Sequence, residues 1–163
     1  MTFKQRCLSN NAVCYTLIQN YAALTTMINQ FTINTHTTGR GLIEITQQVS
    51  KELSHYDIQA GLVNIFLQHT SASLVITENA DPTVLIDLET IIQRLAPDGD
   101  PEYQHDYEGD DDMAAHVRSI LTANELTIPI QNGRLALGTW QGVFLWEHRY
   151  RAHSRSIIVT VSS

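Results

Sequence analysis

The stretch GLVNIFLQHTSASLVIT, residues 61–77, decides the fold class of this chain. Its first part, from Leu62 to Leu67, is apolar apart from Asn64, which is typical of a strand buried on both faces. A polar turn follows at Gln68–Ser71, and residues 74–77 predict a further short strand. A sheet is therefore expected at the centre of the chain.

The segments on either side of this stretch mix strands with helices. Alternation of apolar and polar residues at 31–33 and 43–45 predicts two upstream strands. Thr46 is expected to cap a helix that ends near Tyr56, and Asp81–Pro82 predicts the start of another, with Asp as the cap. Mixed elements of this kind indicate the α+β class.

The last third of the chain is predicted to be all strand. Residues 126–130 alternate, and Asn132–Gly133 is typical of a two-residue hairpin turn because both positions tolerate positive φ. Residues 143–146 and 157–161 predict two more strands. Residues 27–163 are therefore expected to form a single domain.

The segment PDGDPEYQHDYEGDDD, residues 97–112, has eight carboxylates in sixteen positions, and its prolines and glycines predict a loop. One of Asp110–Asp112 is expected to cap the helix that follows, while the other two are either solvated or ligands of Mg²⁺. The buried face of that helix is predicted to consist of Met113, Val117, Ile120 and Leu121.

Length and composition limit the possible classes of protein. With 163 residues, 43% of them hydrophobic, the chain can bury a core without disulfides. A net charge of −7 argues against a nucleic-acid partner, although it leaves room for a local anion pocket. No stretch approaches the roughly 18 apolar residues of a membrane span, so we expect no membrane partner and a cytoplasmic location.

Residues 1–26 show no helix or strand period. They form an N-terminal extension that is either poorly ordered or lies upstream of a translation start at Met27. Cys7 and Cys14 form no CxxC pair, and two free thiols are expected there.

A polar group follows the apolar strand at residues 62–67. His69, Thr70 and Ser71 are expected at a sheet edge, where ligand sites often lie. The alternative is a hydrogen-bonded histidine at the end of a strand, next to a Ser/Thr turn.

Two further histidines flank the acidic run. His116 lies at the rim of the predicted helix face, eleven residues after His105. Neutral imidazole is a good ligand for Zn, Fe or Mn, yet the spacing matches no standard zinc motif. The alternative is a histidine bonded to a backbone carbonyl.

The segment Gly138–Gly142, GTWQG, separates two strands. Its glycines allow a bulge, and Trp140 is either the wall of a pocket or a core side chain at a bend. Period two places Glu147 and Arg149 on one face of the next strand and His148 on the other.

Three segments together resemble the YjbQ-like family, whose members are labelled secondary thiamine-phosphate synthase. They are QHTSASLVITENADP (68–82), HDYEGDDDMAAHVRS (105–119) and NGRLALGTWQGVFLWEHR (132–149). The resemblance covers about residues 27–163. It implies an α+β fold with a compact, sheet-rich sandwich-like or barrel-like core and about three helices, assembled as a homotrimer with a site near the subunit boundary.

The resemblance also implies the members of the site. The metal ligands expected from it are His69, His105 and His116. The expected catalytic residues are Ser71, Asp112 and Glu147. The residues expected to bind a small-molecule substrate are Thr70, Asn79, Asp81, Trp140 and Gln141.

The implied activity joins hydroxymethylpyrimidine diphosphate to thiazole phosphate, as a main or a side activity, with a divalent metal (Zn or Mg) as cofactor. Shared fold does not fix function, and the chain lacks a basic, glycine-rich phosphate loop. Two alternatives remain open. One is a metal-dependent hydrolase or lyase with a three-histidine site, and the other is a non-catalytic trimer that binds a small ligand.

Overall fold

The computed structural model describes residues 27–163, which form eight strands and three helices. The predicted extension, residues 1–26, lies outside the described residues, as do the thiols expected at Cys7 and Cys14. In chain order the elements are β1 (Ile28–His36), β2 (Gly41–Glu44), α1 (Thr46–Leu53), β3 (Ala60–Leu67), β4 (Ala72–Glu78), α2 (Pro82–Leu95), α3 (Asp110–Leu121), β5 (Glu125–Gln131), β6 (Arg134–Leu135), β7 (Gln141–Glu147) and β8 (Ser154–Ser162). None of the helices described here is long and apolar enough to cross a membrane.

The strands form two antiparallel sheets. The larger has the order β1-β8-β3-β5-β6, and the smaller has the order β2-β7-β4. In the smaller sheet Ala72 pairs with Glu147 at one end, and Glu78 pairs with Gln141 at the other. The polar residues that follow β7 and those that precede it therefore lie at opposite ends of this sheet.

One apolar core joins the two sheets. Buried side chains alternate along β5 and β8, as the sequence pattern predicts, and α1 adds Val49 and Leu53. The predicted hairpin turn is present, with φ of 52° at Asn132 and 73° at Gly133. Asp81 caps α2 by accepting a hydrogen bond from the Thr83 N–H at 2.9 Å. The α+β class with a sheet-rich core and three helices is confirmed.

Two local predictions near the first strands were wrong. The strand β3 is buried on one face only, because Leu62 and Phe66 project from the outer face of the larger sheet and are 47% and 39% exposed. Thr46 does not cap α1, since the residue at the cap position is Ile45. The Thr46 hydroxyl instead accepts from the Val143 N–H at 2.8 Å, which ties the helix to β7.

The predictions for α3 also need correction. No Asp caps this helix, because the cap position is Gly109 with φ of 112°, and Asp110–Asp112 form the first turn. The predicted apolar face is not the buried one, since Ile120 is 81% and Leu121 54% exposed. The buried residues of α3 are Asp111, Asp112, Ala114, Ala115, Arg118 and Ser119. Ala114 and Ala115 are fully buried where α3 packs on β4. The buried charged residues pair with residues of neighbouring loops.

Candidate metal centre

Two histidines and one aspartate converge where the acidic loop enters α3. Asp112 and His116 lie one helical turn apart and share a face, while His105 reaches them from the loop. The Asp112 Oδ2 atom is 2.9 Å from His105 Nε2 and 3.8 Å from His116 Nε2. One donor atom of each residue lies within 4.8 Å of the other two. We call this group, His105, Asp112 and His116, the HDH group.

The central atom of the HDH group is a buried carboxylate oxygen. The Asp112 side chain is 4% exposed, and among the described residues its Oδ2 has no hydrogen-bond partner. The short contact with His105 lacks hydrogen-bond geometry. A buried anionic oxygen without a donor is costly, and a bound cation would remove that cost.

Arg149 holds the other side of Asp112. Its Nη1 donates to Asp112 Oδ1, its Nε donates to Asp111 Oδ2 at 3.1 Å, and its Nη2 donates to the Glu108 carbonyl at 3.0 Å. Because Oδ1 is taken by Arg149, the free Oδ2 faces the two imidazoles. One arginine thus orients the carboxylate and closes the acidic loop onto α3.

The same contacts keep the neighbouring Asp111 ionised. Burial by itself raises the pKa of Asp111, but hydrogen bonds from the Tyr150 N–H, at 2.7 Å, and from Arg149 outweigh it and lower the pKa overall. Two of the three aspartates therefore serve as ion-pair partners of Arg149, a role that was not among those expected from the sequence.

His116 is oriented by a backbone carbonyl. Its Nδ1 lies 3.1 Å from the Thr70 oxygen, which can only accept, so the ring proton lies on Nδ1. Nε2, which then carries no proton, lies 3.8 Å from Asp112 Oδ2. This is the tautomer that a metal ligand of this kind needs.

His69 lies outside the HDH group. Its Nε2 accepts from the Ser156 N–H at 2.9 Å, so that lone pair is occupied. Burial and the positive charge of Arg155 lower the pKa of His69. In the single chain the structure brings together two of the three histidines expected as ligands, with Asp112 as the third donor.

Ser71 and Glu147 belong to a second polar group around Arg155. Glu147 is fully buried and accepts from Arg155 Nε at 2.8 Å and from the Thr37 hydroxyl at 3.0 Å. Arg155 Nη2 donates to Ser71 Oγ at 3.1 Å. Burial raises the pKa of Glu147, yet the hydrogen bonds from Arg155 outweigh it and the pKa falls. Glu147 is thus placed as the counter-ion of Arg155.

The remaining residues expected to bind substrate lie at the far end of the smaller sheet. Asn79 N–H donates to the Trp140 carbonyl at 3.0 Å, and Gln141 Oε1 accepts from the Gly138 N–H at 2.8 Å. This end is six residues along β4 from Ala72, which corresponds to about 20 Å. Trp140 is 65% exposed, so it is not a core side chain. Asp81, as the cap of α2, lies at the same end.

A cavity of about 430 Å³ adjoins the HDH group through His116. Its lining is His69, Thr70, His116, Ser119, Ile120, Thr122 and Asn124. Thr70 is thus placed near the histidines and apart from the Trp140 end. No pattern in the sequence indicated Asn124 or Arg155, and Arg149 was predicted only to share a strand face with Glu147.

Comparison with known proteins identifies relatives across almost all of the described chain. The profile of the family described as "UPF0047 protein YjbQ-like" matches residues 29–163. A UPF0047 protein of Synechocystis sp. is 52% identical over 126 residues, covering 77% of this chain and 86% of the relative. The UPF0047 protein YjbQ of Escherichia coli O157:H7 is 42% identical over 133 residues, covering 81% and 96%.

A solved structure agrees with the fold. The crystal structure of a conserved hypothetical protein from Thermus thermophilus superposes with a TM-score of 0.71 at 37% identity. The match covers 79% of this chain and 97% of that one.

Proposed function

The chain belongs to the UPF0047 protein YjbQ-like family, and from that premise we propose that its HDH group binds a divalent transition metal, zinc foremost, that serves hydrolytic or lyase chemistry on a small molecule. The observation that supports this most is the buried Asp112 Oδ2, which has no hydrogen bond among the described residues and faces two imidazole nitrogens. Two imidazoles and a carboxylate suit zinc or iron better than magnesium.

The donor set leaves room for chemistry. Three protein ligands are the number found in catalytic zinc sites, where the fourth position holds water or substrate. A metal of this kind supplies a hydroxide near neutral pH and polarises a carbonyl. The cavity beside His116 would place a small molecule next to one of the three proposed ligands.

Residues of the chain itself orient the proposed metal ligands. Arg149 fixes Asp112 so that only one carboxylate oxygen is available to the metal, and the Thr70 carbonyl fixes the His116 tautomer. His105 is half exposed on its loop, so it is the ligand that can adjust on binding. The proposed ligand set replaces the three-histidine set implied by the resemblance.

Zinc titration of the untagged full chain against a chromophoric chelator tests this function. We expect one ion per chain, and the loss of stoichiometric binding in Asp112→Asn and in His116→Gln. His55→Gln is the matched control, because His55 is exposed and lies outside the HDH group. Binding below about a tenth of an equivalent per chain would rule out a tight site.

A thiamine-phosphate synthase-like activity is the second candidate. Its support is the resemblance, together with the exposed ring of Trp140, on which a flat heterocycle could stack. Because the HDH group and Trp140 lie at opposite ends of the smaller sheet, this activity needs a homotrimer that brings the two ends together from different chains. We propose a homotrimer and a cytoplasmic location together with this activity.

Mixing two inactive variants tests the second candidate. Product formation from both substrates with Mg²⁺ should be lost in Asp112→Asn and in Trp140→Ala, and partly restored when the two proteins are co-expressed. Absence of turnover by the unaltered protein, with zinc or with magnesium, removes this candidate and leaves the metal site unaffected.

A further inference from the structure

The cavity on the His116 side of the HDH group has a neutral lining, whereas a cavity of about 200 Å³ on the His105 side includes Asp100, Asp106 and Asp110 in its lining. Apart from its two imidazoles, the cavity on the His116 side is lined by hydroxyl, amide and aliphatic side chains. Another cavity of about 370 Å³ shares His69, Thr70 and Asn124 with it, and its lining also has no Lys, Arg, Asp or Glu among the residues the structure describes. These two neutral cavities therefore offer one continuous neutral surface next to the proposed metal.

The cations closest to this surface are already paired. Arg155 is 3% exposed and bound to Glu147, and its pair distance to Oε1 is 2.5 Å. Arg149 is bound to Asp111 and Asp112. A phosphate group entering the cavity would meet no unpaired guanidinium from the described part of this chain, and an arginine taken from a buried carboxylate would leave an uncompensated charge behind.

Two polar side chains of the lining are available to a ligand. The Thr70 hydroxyl and the Asn124 amide make no side-chain hydrogen bond within residues 27–163, and both are exposed to the cavity. Each group can donate and accept, which matches a hydroxyl group of a ligand. The Ser119 and Thr122 hydroxyls, by contrast, already donate to the carbonyls of Ala72 and Arg118.

From these contacts we infer that the substrate of the metal centre is a neutral small molecule bearing hydroxyl groups, held in the cavity by Thr70 and Asn124. This inference rests on the proposed function, because it takes the metal at the HDH group as the reactive end of the site. It assigns Asn124, which no pattern in the sequence indicated, as a residue that determines specificity. A neutral substrate would also distinguish the proposed metal-dependent activity from the thiamine-phosphate synthase-like activity, whose substrates are phosphorylated.

Matched pairs of probes test the inference. The zinc-loaded full chain is titrated with glycerol and glycerol 3-phosphate, and with D-ribose and D-ribose 5-phosphate, while the backbone amide of residue 124 is followed by NMR. At least one neutral probe is expected to shift that resonance and saturate at one equivalent. Its phosphate ester, and the neutral probe on Asn124→Leu, are each expected to bind roughly tenfold more weakly.

The inference is overturned if a phosphate ester binds as tightly as its neutral partner, if the neutral probe binds Asn124→Leu unchanged, or if no neutral probe binds. Asn124→Asp, with the same shape and a negative charge, checks that the loss is one of hydrogen bonding and not of folding. Zinc content is measured on the same samples. Zinc without probe binding refutes only the substrate class, and probe binding without zinc refutes only the metal site.

Discussion

The fully buried pair of Ser73 and His148 is the most perturbed titratable feature of the described chain. Ser73 Oγ lies 2.9 Å from His148 Nε2, and both side chains are inaccessible to solvent. Burial, followed by the charges of Arg118 and Arg40, lowers the pKa of His148 to about 3. His148 is therefore neutral in the folded chain at any pH near neutrality.

The resulting pH dependence is a loss of stability in mild acid. The unfolded chain binds a proton at His148 below pH 6.5 and the folded chain does not until about pH 3, so stability falls as the pH decreases through this window. The carboxylates Asp98, Asp111 and Glu147 have lowered pKa values, so the stability that they contribute is retained above about pH 5 and is lost only below it. The interval from about pH 6.5 to about pH 5 thus isolates the histidines.

Urea unfolding at several pH values measures this effect. We expect a slope of up to about 1.4 kcal/mol per pH unit from His148, with a smaller addition from His69, whose pKa is also lowered. His148→Gln should flatten the slope, and the exposed His55→Gln should not. An unchanged slope in His148→Gln would show that His148 is not the group responsible.

Arg149 offers a test of orientation within the HDH group. Arg149→Lys keeps the charge but cannot donate to Asp111, Asp112 and the Glu108 carbonyl together. We expect zinc affinity to fall roughly 10- to 100-fold, as for other groups that orient a metal ligand. Competition with a chelator measures it, and the exposed Arg151→Lys serves as the control. Equal affinity of the two variants would mean that Asp112 needs no support from Arg149.

At the scale of elements, α3 depends on the glycine before it. Gly109 has φ of 112°, a conformation that L side chains rarely adopt. Gly109→Ala is expected to lower the free energy of unfolding by about 1–3 kcal/mol and to displace His105 from the HDH group. Gly138→Ala is the matched control, because Gly138 has no positive φ and its nearest neighbour is the end of the Gln141 side chain. Similar urea unfolding midpoints for the two variants would contradict the claim that α3 requires glycine at position 109.

Elements whose determinants are local were predictable from the sequence. The Asn132–Gly133 turn and the Asp81–Pro82 helix start depend on conformational preferences of adjacent residues, and both are present. The buried face of α3 was not predictable in this way, because Arg118 is buried through the Ala96 carbonyl and Asp98, twenty or more residues away. A periodicity of apolar residues cannot detect a charge whose partner lies on another loop.

Partners that are distant along the chain also explain why the site could be predicted only in part. The proximity of Asp112 to His116 is consistent with helical spacing. His105 and His116 were expected as ligands from the family resemblance as well as from their position beside the acidic run. The placement of His69 with Arg155 and Ser156 depends on β8, more than eighty residues later. Only the folded sheet reveals that His69 has its nitrogen occupied while Asp112 has an oxygen free.

For the whole molecule, the exposed apolar residues are relevant to assembly. Leu62 and Phe66 lie on the outer face of the larger sheet, and Ile28, on the same sheet, is 65% exposed. If this face forms the homotrimer contact, sedimentation should give a mass three times the 18.3 kDa of one chain. Phe66→Glu should then yield monomers, whereas Tyr107→Glu, at a side chain 96% exposed, should not. A trimer that persists in Phe66→Glu would place the contact elsewhere.

The metal at the HDH group is the central claim, and anomalous diffraction from crystals grown with zinc tests it most directly. Data collected on both sides of the zinc absorption edge should show one peak per chain, at about 2.0–2.2 Å from His105 Nε2, His116 Nε2 and Asp112 Oδ2. The same crystals of Asp112→Asn should lack it. A peak on His69, or no peak within ligand distance of Asp112, would contradict the account.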